Sequence, residues 1–196
     1  MKISYKYISE IFQNALNQNS VKIEDKNKIG QLLFCCFEIN KTLWNLEDIS
    51  RMHHLGFESI AKAKMEIDLY NQKRNDTINQ IDLFLDEHLG NVTLQSLDKF
   101  YSESPGMIID RMVIIFIRHH SIKQLIDLIK DKELKEEYIV KKNQLAQNLN
   151  ELGIFLDSYF GKISNREAFF NIYKPLKIYN DDRIKIYIKI LTNGQN

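Results

Sequence analysis

The chain has 196 residues and a mass of 23.2 kDa, a size typical of one globular domain with its own core. Its 27 basic and 26 acidic side chains nearly cancel, which gives no support to a nucleic-acid-binding surface, and we expect no nucleic-acid partner. The chain contains only two prolines and seven glycines, and its apolar residues recur at helical spacing. The sequence therefore predicts an all-α fold.

Three helices are predicted in the first half of the chain. Ser4 is a typical N-cap for the first helix, which ends before the polar residues 17–20. A second helix is predicted over residues 27–53 and a third over residues 58–88, which stops at Gly90. The second and third helices are long, so we expect an antiparallel pair around which a helical bundle is built.

The second half of the chain predicts a buried central helix and two further helices. Ser104, followed by proline and glycine, is typical of an N-cap, and residues 108–117 are apolar on every side of the helix that it opens. A fifth helix is predicted over residues 134–160, stopping at Gly161. A shorter helix over residues 165–173 would complete the bundle.

The C-terminal tail shows a different pattern. Isoleucines at positions 184, 186, 188 and 190 alternate with polar or aromatic residues, a period of two that is typical of a β-strand. A short helix or a frayed end is the alternative. A strand would need a partner edge, so we expect it either to pair with a second copy of the chain, forming a homo-oligomer, or to dock on another chain. The predicted organisation is one α-helical domain over residues 1–182 and a tail over residues 183–196.

The compartment is predicted from the cysteines and from the absence of long apolar segments. Cys35 and Cys36 are adjacent, which favours two small buried hydrophobic side chains in a reducing compartment over a disulfide or a metal site. The first residues lack the apolar segment of a signal peptide, and the longest apolar run, residues 112–117, is too short to span a bilayer. We expect a cytoplasmic protein without a membrane span.

Polar residues interrupt the buried faces of the long helices. Asn40, Trp44, Glu47 and Arg51 lie within about 60° of one another on the second helix. On the third helix, a sector of about 100° holds both isoleucines and a set of polar residues, namely Lys64, Asn71, Arg74, Asn75 and Asp82.

The central helix shows the same conflict, because Asp110 and Arg111 interrupt its apolar stretch and at least one of them must be buried. A buried charge is costly unless it is paired. These side chains therefore predict either a structural network that fixes the helix register or a ligand pocket between the long helices.

Four separated blocks of the sequence carry a family resemblance: LWxxEDxxR (43–51), IDxxNQxRND (67–76), ESPGxIIDR (103–111) and KIYND (177–181). In this order they resemble the bacterial domain-of-unknown-function family DUF4254, over roughly residues 32–181. The resemblance implies an α-helical bacterial protein and brings no established activity. Family members are often encountered near genes for surface-polysaccharide assembly, including glycosyltransferases.

Taken as a site, these blocks predict phosphate chemistry. The candidate catalytic carboxylates are Glu47, Asp48 and Asp110, and Asp76 is the candidate metal ligand, which with Glu47 and Asp48 would hold a hydrated Mg²⁺. Arginine side chains are suited to phosphate, and an indole ring can stack on a base or a sugar. The candidate ligand-binding residues are Asn40, Trp44, Arg51, Asn71, Arg74, Asn75, Arg111, Lys177 and Asn180.

Residues 177–181 have no evident packing role, so we expect them to close over the pocket and to bring Lys177 or Asn180 to a bound anion. The leading hypothesis is a protein that binds or processes a nucleotide-sugar or a phosphorylated sugar in surface-polysaccharide metabolism. The alternative is a non-catalytic interaction or scaffold protein whose buried polar network is structural. The sequence does not decide whether the protein is an enzyme.

Overall fold

A computed structural model describes residues 3–17, 27–93, 96–172 and 182–193. The helices are α1 (Tyr5–Leu16), α2 (Lys28–Ser50), α3 (Gly56–Leu89), α4 (Pro105–Leu128), α5 (Lys132–Ser164) and α6 (Lys185–Asn193). Short 3-10 turns precede α3, α4 and α6. The described residues contain no β-strand, so the all-α prediction is confirmed.

The helix ends follow local capping chemistry. The Ser4 hydroxyl accepts a hydrogen bond of 3.4 Å from the Tyr7 N–H at the start of α1. The Ser104 hydroxyl accepts one of 3.3 Å from the Met107 N–H at the start of α4. Helix α3 ends at Gly90, whose φ of 65° is a left-handed conformation that glycine adopts without steric cost.

Two helix pairs build the bundle. Helix α2 packs along α3, and α4 packs along α5, while α1 lies against both α2 and α5. Helix α4 is the central element, because Ile108, Ile109, Met112 and Val113 are all fully buried. The polar residues of α2, α3 and α4 consequently meet where these three helices come together.

The end of α5 differs from the prediction. Helix α5 continues through Gly161 to Ser164, and residues 165–172 are not helical. Arg166 has a left-handed φ of 60°, and Phe169 exchanges two backbone hydrogen bonds with residues 99 and 101 instead of bonding along a helix. The Phe169 ring is buried and its centroid lies 5.4 Å from that of the Phe100 ring, so tertiary packing here overrides the local helical pattern.

The alternating tail forms a helix. Of the two predicted structures, strand or short helix, the structure has the helix α6, which satisfies its backbone groups internally and needs no partner strand. Its Ile186, Tyr187 and Ile190 side chains are each more than half exposed. The prediction that the tail forms a homo-oligomer is not tested by a single chain.

Two further predictions concern the cysteines and the membrane. Cys36 is buried as expected, but Cys35 is exposed. Adjacent residues on a helix point about 100° apart, so the two thiols cannot both face the core. In the part of the chain that the structure describes, no helix is sufficiently long and apolar to cross a membrane.

Candidate functional site

A cavity of about 310 Å³ lies where α2, α3 and α4 meet. This volume is at the lower end of the range for small-molecule sites. It is open on one side, and its walls combine apolar side chains with charged and carboxamide groups. The lining residues are Asn40, Leu43, Trp44, Glu47, Asp48 and Arg51 from α2, Asn71 and Arg74 from α3, and Ile114, Ile117 and Arg118 from α4.

The inner wall of the cavity is an ion pair between α3 and α4. The Arg74 guanidinium donates to the Asp110 carboxylate through Nη2 at 2.6 Å and through Nε at 2.9 Å. Asp110 is 4% exposed, and the Asn40 side chain donates to it over 2.9 Å from α2. The network therefore joins three helices and satisfies a carboxylate that would otherwise be costly to bury.

The electrostatics of this inner wall keep Arg74 charged. The hydrogen bonds from Arg74 to Asp110 raise the pKa of the guanidinium above its ordinary value. Burial and the neighbouring Asp110 carboxylate raise the pKa of the Cys36 thiol. Cys36 therefore stays protonated, so it is not suited to act as a nucleophile.

The rim of the cavity is exposed and carries charges of both signs. Glu47 lies 3.6 Å from Arg51, one turn away on α2, and 3.8 Å from Lys64 on α3. Asp48 is exposed and lies beside Glu47 on the same rim. Because these ion pairs are long and solvated, a ligand can separate them at little cost.

Three side chains of the cavity are available to a ligand. Within the described residues, Asn71 and Arg118 form no hydrogen bond or ion pair with another side chain or with the backbone. Trp44 is half-buried and presents part of its ring to the cavity. A carboxamide, a guanidinium and an indole face together suit a ligand that combines an anionic group with a ring.

A second buried carboxylate lies outside the cavity, at the start of α4. Asp82 is 3% exposed and accepts hydrogen bonds from the Ser104 hydroxyl at 2.5 Å and from the Gly106 N–H at 2.6 Å. A Cβ on Gly106 would lie 2.6 Å from the Asp82 carboxylate, so this close approach requires glycine. Asp82 thus caps the central helix and fixes its position against α3.

The structure brings together seven of the predicted site residues, namely Asn40, Trp44, Glu47, Asp48, Arg51, Asn71 and Arg74. Asp110 lies behind Arg74 and does not itself line the cavity. Asn75, Asp76 and Arg111 are exposed elsewhere, with Asp76 bonded to Gln72 and Arg111 paired with Glu103. Lys177 and Asn180 lie outside the described residues.

Arg118 was missed by the sequence reasoning. It is exposed just past the middle of α4, where the sequence is typical of an ordinary solvated charge. Its signal was its spacing, because Arg118 follows Asp110 by eight residues and Ile114 by four, which places it on the same face of the helix.

Of the three predicted magnesium ligands, the structure places Glu47 and Asp48 at the cavity and Asp76 outside it. Among the described residues, no group of three or more His, Cys, Asp or Glu side chains is placed to hold a metal ion. The described residues therefore do not bring Asp76 together with Glu47 and Asp48 as three ligands of one cation.

The sequence model of a family described as Protein of unknown function (DUF4254) matches residues 31–172. The chain belongs to this family. The match confirms the resemblance drawn from the sequence blocks, the first three of which lie inside it, and it includes every residue of the cavity. No curated protein and no solved structure matches this DUF4254 chain.

Proposed function

We propose that the polar cavity of this DUF4254 protein binds a phosphorylated or nucleotide-linked sugar. The observation that carries the proposal is the set of available groups around one cavity: Arg118 for the phosphate, Asn71 for hydroxyl groups and Trp44 for a sugar or base ring. The association of family members with surface-polysaccharide genes supports a sugar as the ring-bearing part.

The ion-paired groups contribute to binding in different ways. Asp110 neutralises Arg74, so Arg74 offers an incoming phosphate a weaker net attraction than Arg118 does. Arg51 is 74% exposed and exchanges Glu47 for a phosphate without leaving a buried charge. Any proton transfer to a bound substrate would fall to Glu47 or Asp48, because the Asp110 carboxylate is occupied by Arg74 and Asn40.

A thermal-shift titration tests the proposal. Glucose 1-phosphate and UDP-glucose, each with and without Mg²⁺, should raise the melting temperature, whereas glucose alone should leave it unchanged. A ligand at 100 times its Kd adds about 2.7 kcal/mol to the free energy of unfolding. The chain has one tryptophan, Trp44, so its fluorescence reports a ligand that binds beside this side chain.

Two matched variants separate specific binding from a general charge effect. Arg118→Gln should weaken phosphate binding about tenfold or more, because it removes a charge-assisted hydrogen bond. Lys123→Gln removes an exposed cation from the same helix, outside the cavity, and should leave the affinity unchanged. If no phosphorylated ligand shifts the melting temperature, the polar residues form a structural network and the interaction-protein alternative is favoured.

A further inference from the structure

A second cavity adjoins the polar one and has the opposite character. It has a volume of about 480 Å³ and lies between the C-terminal half of α4 and the N-terminal half of α5. The surface that it exposes is mostly apolar, formed by side chains such as Ile122, Leu125 and Leu145, and its lining also includes Ser121, Lys141 and Gln144. The two cavities share Trp44 and Arg118 in their linings, so they lie side by side with these two residues between them.

The apolar cavity lies between α4 and α5, in a stretch where neither helix has a buried residue. In α4 no residue after Ile117 is buried, and in α5 no residue before Leu149 is buried. The apolar side chains in this stretch of α4 and α5 are therefore exposed or half-buried, and Leu125 is 44% exposed. Covering this surface with an aliphatic chain would remove apolar area from water on both partners.

The positive charge of Arg118 favours an anionic ligand at this place. Arg118 lies at the junction of the two cavities and has no partner among the described residues, so an anionic group placed there reaches both cavities at once. A phosphate at this point would direct one substituent toward Asn71 and the other along Ile122 and Leu125. An uncharged chain would leave Arg118 unused.

We infer that the ligand of this protein is an anionic amphiphile, a phosphate ester in which the phosphate carries an aliphatic chain that lies in the apolar cavity. The inference rests on the proposed function, because the same Arg118 binds the phosphate in both. It adds the chemical class of the second substituent, an aliphatic alcohol rather than a nucleoside.

A chain-length comparison with Trp44 fluorescence tests the inference. The probes are ethyl phosphate, n-octyl phosphate and the uncharged n-octyl glucoside, each below the concentration at which it aggregates. Each buried methylene increases affinity about fourfold, so three buried methylenes make octyl phosphate bind about 60-fold tighter than ethyl phosphate. Octyl glucoside should bind more weakly than octyl phosphate because it cannot pair with Arg118.

Two exposed leucines on α4 provide matched variants. Leu125 lines the apolar cavity, whereas Leu128, which is 74% exposed, does not. Leu125→Gln should reduce the advantage of the octyl chain, and Leu128→Gln should preserve it. Neither side chain is buried, so both variants should melt close to the wild-type temperature. Arg118→Gln should weaken both phosphates by the same factor.

The outcomes separate the two proposals. Equal affinities for ethyl and octyl phosphate, together with binding of sugar phosphates, would overturn the aliphatic subsite and leave the proposed function standing. Octyl glucoside binding as tightly as octyl phosphate, unaffected by Arg118→Gln, would show that no anion is recognised and would overturn the inference. Failure of every phosphate, sugar phosphates included, would overturn both.

Discussion

Replacing Asp82 by asparagine should change how the stability of this protein depends on pH. Burial raises the pKa of Asp82 from 3.8 to about 6, and the nearby Asp86 carboxylate adds to the increase. The hydrogen bonds from Ser104 and Gly106 oppose the shift without cancelling it. The folded protein therefore holds a proton on Asp82 at pH values where the unfolded chain has lost it.

The direction and the size of the effect follow from this difference in pKa. A carboxyl group with a raised pKa in the folded state contributes stability that is fully present below pH 3.8 and is lost as the pH rises through 6. The difference of 6 − 3.8 = 2.2 corresponds to about 3 kcal/mol in the free energy of unfolding. Asp82 is 3% exposed, so little of this is screened by solvent.

Urea denaturation of the wild type and of Asp82→Asn between pH 3.5 and pH 7.5 measures the effect. Asparagine resembles the protonated acid, because its oxygen can accept from Gly106 and its amide can donate to the Ser104 hydroxyl. The free energy of unfolding of the variant should therefore rise by about 3 kcal/mol relative to the wild type across this interval. Asp68→Asn, an exposed position on α3, controls for the loss of one carboxylate.

A constant difference between Asp82→Asn and the wild type would refute this reasoning. It would mean that the N-terminal dipole of α4, together with the two hydrogen bonds, stabilises the carboxylate as strongly as burial destabilises it. Asp82 would then titrate at the same pH in the folded protein and in the unfolded chain.

Two other predictions concern packing and the inner wall of the cavity. Gly106→Ala should lower the free energy of unfolding by about 1–3 kcal/mol, because the new Cβ would lie 2.6 Å from the Asp82 carboxylate. Gly161→Ala, where the new Cβ would have no neighbouring atom within 4 Å, should raise it by about 1 kcal/mol. Chemical denaturation of the two variants checks the sign of both changes. Asp110→Ala should lower the free energy of unfolding by about 3 kcal/mol, because it leaves the Arg74 guanidinium, which is only 30% exposed, without its partner. An unchanged midpoint of urea denaturation would contradict a stabilising role for this ion pair.

The positions of the helices were largely predictable because each helix carries its own local signals. The Ser4 and Ser104 caps, the glycine that ends α3 and the apolar surround of residues 108–117 all act within a few residues. Residues 165–172 were wrongly predicted to be helical because the backbone of Phe169 bonds to residues 99 and 101, a contact that no local pattern encodes. The tail was ambiguous since a period of two describes a strand only where a partner edge exists.

The sequence predicted which site residues would lie together where a polar side chain interrupted the apolar face of a helix. Asn40, Arg74 and Asp110 stood out in this way, and the structure joins them in one network. Residue spacing did not reveal which charges would pair with one another. Asp76 and Arg111 belong to the same sequence blocks, yet each finds a neighbour outside the cavity, at Gln72 and Glu103 respectively.

The structural and the ligand-binding interpretations of the polar network apply to two different groups of residues at the cavity, a buried group and an outer group. The buried layer, Arg74 with Asp110 and Asn40, is paired within the fold and holds α2, α3 and α4 in register. The outer layer includes Asn71 and Arg118, which have no partner among the described residues. The outer layer is therefore the part of the network to which the proposed ligand would bind.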